Sequence, residues 1–223
     1  DTGGTFTDFV VFDEDSASLR VAKVASVPAD PTRAFMNGLA ELEVDLGRVR
    51  RIVHGTTIAT NAVLERKGAK TGVVVTRGHR DIVEIGQLRQ YADNVIFNRH
   101  YQRPPPYVPR GHRWELGERL GPDGEVLTAL DDGEVRDIIV RMREAGIESV
   151  AICLLNSYAN RAHEQRVAQA FSQGLPGVPV SESMAVTPEF REYERWATTV
   201  LNAYVAPIVG GYLRRLSAAL REA

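Results

Sequence analysis

Apolar and polar positions alternate over the first thirty residues. Phe6-Thr7-Asp8-Phe9-Val10-Val11-Phe12 is rich in β-forming types, Asp13-Glu14-Asp15-Ser16 is turn chemistry, and Leu19 to Val24 alternates again. Two strands joined by a turn are predicted there. Asp30-Pro31 has the form of a helix cap followed by its first residue, and Phe35, Leu39 and Leu42 give a helical stripe through Glu43. Val49 to His54 predicts a short strand. Gly55-Thr56-Thr57 leads into a helix to about Arg66, with Gly68 as the residue past its end. Thr71 to Thr76 reads as a buried parallel strand closed by Gly78.

The middle of the chain loses this regularity. Between Asn98 and Arg113 there are four prolines and little periodicity, which predicts a loop. Trp114 to Leu120 and Glu125 to Thr128 flank Gly121-Pro122-Asp123-Gly124 and are expected to pair as a hairpin. A helix over Asp131–Ala145 ends at Gly146, a buried strand covers Ser149–Leu155, and a helix over Arg161–Phe171 is stopped by Gly174. Val178-Pro179-Val180-Ser181 suits a sheet edge, where proline is tolerated. A long helix from Pro188 carries Phe190, Tyr193, Ala197, Val200, Leu201 and Tyr204 on one face, and Pro207 should kink or end it. Strands first, then alternating strand and helix, make an α/β layout with a mixed sheet. The alternation weakens around residues 78–98, a weak internal boundary.

Composition adds exclusions. The chain has 223 residues, 43% of them hydrophobic, and a formal charge of −2. A near-neutral balance argues against a nucleic-acid binder that works by bulk charge. No apolar run reaches the roughly 20 residues of a membrane helix, so no membrane partner is expected. Cys153 is the single cysteine, which excludes an internal disulfide and a cysteine-built metal site and fits a reducing cytoplasm. The chain opens on Asp1 rather than methionine, within a run of functional residue types, so a preceding segment is expected.

That opening run, Asp1-Thr2-Gly3-Gly4-Thr5-Phe6-Thr7-Asp8, holds the most chemistry. Adjacent glycines permit positive φ and close approach of another group to the backbone. Successive exposed amides in such a turn make an anion-binding concavity suited to phosphate. Thr5 and Thr7 add hydroxyl donors, and Asp1 and Asp8 are carboxylates able to hold Mg²⁺ directly or through its waters. A plain hairpin whose glycines only make the turn is the competing interpretation.

The octapeptide resembles the first phosphate loop of the hydantoinase A/5-oxoprolinase family, within the actin, sugar-kinase and chaperone ATPase superfamily. Three further stretches resemble it in order: His54-Gly55-Thr56-Thr57-Ile58-Ala59-Thr60-Asn61-Ala62, Ala151 to Asn160, and Glu189-Phe190-Arg191-Glu192-Tyr193-Glu194-Arg195. The resemblance spans residues 1–223 as the N-terminal region of such a protein, and implies an RNase H-like α/β fold. It implies ATP and Mg²⁺ as cofactors and phosphorylation of a cyclic amide oxygen, which makes the carbonyl carbon electrophilic and lets water open the ring. In related ketone carboxylase subunits the same activation serves attack on CO₂. A non-catalytic regulatory or assembly module and a kinase that releases its phosphorylated product are the rivals. Implied partners are a small cyclic amide or ketone, a B-type subunit or the C-terminal remainder of the same chain, and further copies in an oligomer. With no second Gly-Gly-Thr hairpin, the chain alone is expected to bind nucleotide weakly.

On this resemblance Gly3, Gly4 and Thr5 are assigned to the β- and γ-phosphates and Asp1 and Asp8 to magnesium, Asp1 through water. Asp8 instead orients Thr5 or caps the turn in an alternative assignment. Thr56 and Thr57 stand at a helix start, where they either cap it or face the ligand, and Asn61 lies one turn further on the same side. His54 is a general base or a polar core residue, and Asp8 is the other weak catalytic candidate. Arg99, Arg103, Arg110 and Arg113, with His100, His112, Tyr101 and Tyr107, form an acid-free stretch that either recognises an oxyanion or is a solvated loop. Glu189, Glu192 and Glu194 with Arg191 and Arg195 make either surface pairs or a buried ionic cluster, Arg191 and Arg195 sharing a helix face. Trp196-Ala197 departs from the hydroxyl-rich run expected there, which weakens any role for those two positions.

Overall fold

A computed structural model describes residues 1–27, 30–86, 100 and 104–223. The chain forms two compact units, Asp1–Gly68 with Ile208–Ala223, and Ala69–Pro207. Residues 78–98 fall inside the second.

In the first unit, β1 (Phe6–Asp13) and β2 (Ser18–Ala25) form an antiparallel hairpin with Phe6 opposite Ala25 and Asp13 opposite Ser18. Asp13 Oδ1 accepts from the Asp15 and Ser16 amides, each at 3.0 Å, and closes the turn. Period-two alternation turns Thr7, Phe9 and Val11 toward α1 (Pro31–Glu41). Phe9 and Phe35 lie 5.4 Å apart by ring centroids. Phe35, Leu39 and Leu42 are buried with Tyr212 and Leu216, as the helical stripe predicts. A Cβ on Gly38 would stand 2.1 Å from the Phe9 ring, so this helix–strand approach requires glycine.

Two local expectations fail here. Residues 49–54 form no strand, because they find no ladder partner among the described residues; a single parallel bridge joins Thr2 to Thr56. The helix α2 (Ile58–Leu64) is closed by Arg66 in the left-handed region (φ 56°), not by Gly68.

The second unit is a parallel sheet with helices on both faces. Its strands are β3 (Thr71–Thr76), β4 (Arg113–Leu116), β7 (Ser149–Cys153) and β8 (Val180–Glu182), in the order β4-β3-β7-β8. A short α3 (Ile82–Ile85) follows β3, and β5 (Arg119–Leu120) pairs antiparallel with β6 (Val126–Thr128). The expected long hairpin is therefore shortened. Its first three residues, Trp114, Glu115 and Leu116, join β3 in parallel together with Arg113, because Trp114 and Leu116 pack on the sheet's main core. α4 (Asp132–Glu144) and α5 (Ala162–Gly174) cover one face through Ile138, Met142 and Phe171 against Val74, Val150 and Ile152. Val73, Val75, Ala151 and Cys153 point to the other face, against Trp196, Val200 and Ala203. β8 is the predicted edge strand and runs into α6 (Ser183–Val186).

The last helix, α7 (Glu192–Glu222), begins four residues later than expected and continues through Pro207. The lost backbone bond costs about 3 kcal/mol. Burial of Val200 and Ala203 before the proline, and of Tyr212 and Leu216 after it, offsets that cost. The α/β class holds, with parallel and antiparallel strands in separate sheets. Among the described residues no helix is long and apolar enough to cross a membrane.

Candidate functional site

The loop at Gly3-Gly4-Thr5 is built by hydrogen bonds from three parts of the first unit. Gly3 N donates to Phe6 O at 3.0 Å, and Asp8 N to Asp1 O at 2.8 Å. Thr2 N donates to Gly55 O at 2.9 Å and Thr57 N to Thr2 O at 3.2 Å, tying the loop to the start of α2. Ser26 supplies the third anchor: its amide donates to Thr5 O at 2.9 Å and its hydroxyl to Gly3 O at 2.8 Å. Sequence reasoning missed Ser26, because only the β1–β2 register places it beside the turn.

Gly4 and Thr5 are exposed, and among the described residues neither amide has a hydrogen-bond acceptor within the chain. Two adjacent donors fixed in an open turn are the concavity that phosphate oxygens require. Neither glycine uses positive φ; both stay in ordinary backbone regions. A Cβ on Gly3 would lie a tight 3.2 Å from Phe6 O, whereas one on Gly4 would make an ordinary 3.5 Å contact with Asn61 Nδ2, so the turn faces the first turn of α2.

The other predicted residues divide. Gly4, Thr57 and Asn61 are brought together, and Asp1 Oδ1 would lie 3.2 Å from a Cβ on Gly55, so glycine there leaves the carboxylate room. Thr57 is the cap residue of α2 by position and accepts from Asn61 Nδ2 at 3.3 Å, while Thr56, one residue before it, accepts from Ile58 N at 3.2 Å. Thr7 is a correction: it is wholly buried, its hydroxyl 3.1 Å from Ser26 Oγ, so it presents no donor at the loop. Asp8 lies on the outward face, paired with Lys23 at 3.2 Å.

His54 takes the core role. Its ring packs edge-on against Phe35 at 5.2 Å, and its Nε2 is 2.8 Å from the Tyr212 hydroxyl. Among the described residues Nδ1 is buried without a partner. Burial holds the imidazole below its ordinary pKa and pushes the Tyr212 phenol up.

As a magnesium site, the donor set fits through Asp1: an exposed hard-oxygen carboxylate with no ion pair of its own among the described residues. Asp8 must leave Lys23 to join it. Among the described residues no cluster of three or more His, Cys, Asp or Glu exists, so retained water would complete any coordination.

In the second unit, the two described arginines of the stretch, Arg110 and Arg113, are held in ion pairs. Arg110 pairs with Asp81 at 3.1 Å, and buried Arg113 pairs with Glu84 at 2.7 Å and donates to Val108 O. Tyr107 packs on Tyr204 and His112 on Trp114. Arg99, Tyr101 and Arg103 lie outside the described residues. Arg191 and Arg195 do not share an environment: Arg195 is fully buried and Arg191 is exposed.

A buried network surrounds Arg195. It donates to Ser183 Oγ at 3.0 Å, Glu189 O at 2.7 Å and Leu154 O at 3.2 Å. Glu164, also fully buried, accepts from Ser183 Oγ at 2.6 Å and from the Leu154 amide at 3.0 Å. Burial pushes the Glu164 carboxyl up. Trp196 is core, as its departure from the hydroxyl-rich pattern suggests, and burial raises the Cys153 thiol far above its ordinary value, which leaves it inert.

Comparison with known proteins identifies the relatives. The family model described as the hydantoinase/oxoprolinase N-terminal region matches residues 1–174. The caprolactamase subunit alpha of Pseudomonas jessenii is 37% identical, over 100% of this chain and 33% of its own length. The crystal structure of the ATP-dependent caprolactamase from that organism superposes with a TM-score of 0.85 and 36% identity, over 99% of this chain and 33% of that one. A nucleotide-free acetone carboxylase structure gives a TM-score of 0.85 at 29% identity, with the same coverage. The chain spans about a third of the length of the curated relatives it matches first.

Proposed function

The chain belongs to the hydantoinase/oxoprolinase N-terminal region family, and on that premise we propose that it forms the first phosphate-binding part of a larger ATP-dependent enzyme that opens a cyclic amide. The single observation that supports this most is the exposed Gly4-Thr5 amide pair, held open by Ser26 and by the start of α2. An amide carbonyl is a poor electrophile. Transfer of a phosphoryl group to its oxygen polarises the carbon and supplies a leaving group, so catalysis rests on holding phosphate in place. The Gly4 and Thr5 amides bind phosphate oxygens, the Thr5 hydroxyl adds a donor, and Asp1 holds the metal's water shell. Magnesium, when bound, neutralises charge on the transferring group. Lys23 tunes the site by competing for Asp8.

The second reading is an ATP-dependent ketone carboxylase subunit, supported by the likeness to acetone carboxylase. The hydrolase comes first because identity to the caprolactamase is higher. The enzyme acts with the remainder of its polypeptide or a partner subunit.

Gly4→Ala and Asp1→Asn in the full-length protein test this reading. A Cβ on Gly4 makes only an ordinary 3.5 Å contact, so folding survives while the amides are obstructed. Each variant is expected to lower Mg-ATP turnover by about 100-fold, the scale of losing one preorganised donor, with thermal unfolding unchanged. Undiminished turnover in both would assign the chain to a non-catalytic module.

A further inference from the structure

The second unit carries a cleft that the phosphate loop does not use. It has a volume of about 530 Å³ and is lined by Tyr158, Met184, Pro188, Glu189, Phe190 and Arg191, with Glu194 at its rim. That size is within the roughly 300–1,000 Å³ of small-molecule sites.

Its walls are prebuilt by the buried network. Arg195 holds Glu189 O behind one wall and also donates to Leu154 O, and its guanidinium lies 5.9 Å from the Tyr158 ring centroid. Glu164 fixes the third side by accepting from Met184 N at 3.2 Å. Buried charges that brace loops around an open cleft restrict its shape, which lowers the ordering cost of binding.

Its chemistry has two signs. Arg191 lies over the Phe190 ring at 5.4 Å and reaches Glu194 only at 3.8 Å, longer than a hydrogen bond. A guanidinium so placed offers a fork to a carboxylate. Glu189 and Glu194 put carboxylates beside it, and Tyr158, Phe190, Met184 and Pro188 present apolar surface. A simple anion would meet two acids, and a simple amine would meet Arg191. A molecule with both charges satisfies both.

We propose that this cleft binds a free amino acid zwitterion with an apolar chain, its carboxylate on Arg191, its ammonium on Glu189, and its chain against Tyr158 and Phe190. Its biological meaning rests on the cyclic-amide reading above: opening a lactam ring with water yields such a zwitterion, so the cleft is a product site.

Calorimetry on the full-length protein without nucleotide tests the cleft alone. The probes are 6-aminohexanoate and leucine, which separate distant from adjacent charges, with hexanoate and hexylamine as single-charge controls. One zwitterion is expected to bind at least about tenfold more tightly than either control, a difference of about 1.4 kcal/mol. Arg191→Gln and Glu189→Gln, at exposed positions, should each weaken it about fivefold or more with thermal unfolding unchanged. Equal affinity for the controls, no binding of either zwitterion, or unaltered affinity in both variants overturns the proposal. ATP turnover in Asp1→Asn judges the phosphate loop separately, so either idea can fail without the other.

Discussion

The loop at Gly3-Gly4-Thr5 and the network around Arg195 solve opposite problems. The loop leaves polar groups unsatisfied in the open: two amides face solvent, and the bonds that hold it are made by backbone and by Ser26. The network satisfies charges out of water, with Glu164 and Arg195 both bonded to one Ser183 hydroxyl. Exposed donors cost little to leave empty and remain ready for a ligand. Buried charges cost several kcal/mol each unless every lone pair and proton is matched. Function of the first kind is local, whereas integrity of the second kind is collective.

The strongest way to break the contrast is Arg195→Met. It takes the donor from the Leu154 and Glu189 carbonyls and from Ser183 Oγ beside Glu164, and about 2–5 kcal/mol of stability should be lost, at about 1–3 kcal/mol for each buried acceptor left unsatisfied. Urea unfolding followed by tryptophan fluorescence reads it directly, since Trp114 and Trp196 both lie in the second unit. Adding Glu164→Leu should recover part of the loss; a double variant as weak as the sum of both singles would contradict the coupling.

In the first unit the weak point is steric. Gly38→Ala forces a methyl to within 2.1 Å of the Phe9 ring and should cost about 1–3 kcal/mol through overpacking. Hydrogen exchange in β1 and α1 would report it, and unchanged protection there would show that the ring moves aside freely.

The smallest effect sharpens the comparison by pH. His54 has its pKa lowered by burial, so the unfolded chain binds more protons near and below the usual histidine value of about 6.5. The first unit should lose stability as pH falls through that window. Glu164 has its pKa raised by burial, so the folded state binds more protons above the usual carboxyl value of about 4.3. The second unit should lose stability as pH rises through that window. Hydrogen exchange at pH 5 and pH 7.5 should show opposite trends, flattened by His54→Gln in one unit and Glu164→Gln in the other.

The sequence made the loop legible because its information is contiguous: eight residues carry the glycines, hydroxyls and carboxylates. The helices α1, α4 and α5 were legible for the same reason, their apolar spacing repeating within a turn or two. Thr7 was misassigned since type alone cannot say whether a hydroxyl faces ligand or core; alternation in β1 decided that, turning Thr7 inward with Phe9. Arg191 and Arg195 look equivalent by spacing, yet one ends buried and the other open.

By itself, then, the sequence determined the α/β class, the order of most elements and the glycine turn at the start of the chain, all written in short-range pattern and residue chemistry. Tertiary structure decided which polar groups are spent and which are left free. Ser26 reaches Gly3 across the hairpin, Tyr212 reaches His54 from the far end of the chain, and Arg195 gathers Leu154, Ser183 and Glu189. Those pairings join residues many positions apart. Hydrogen-bond satisfaction in a folded interior depends on distance in space, which no local pattern records.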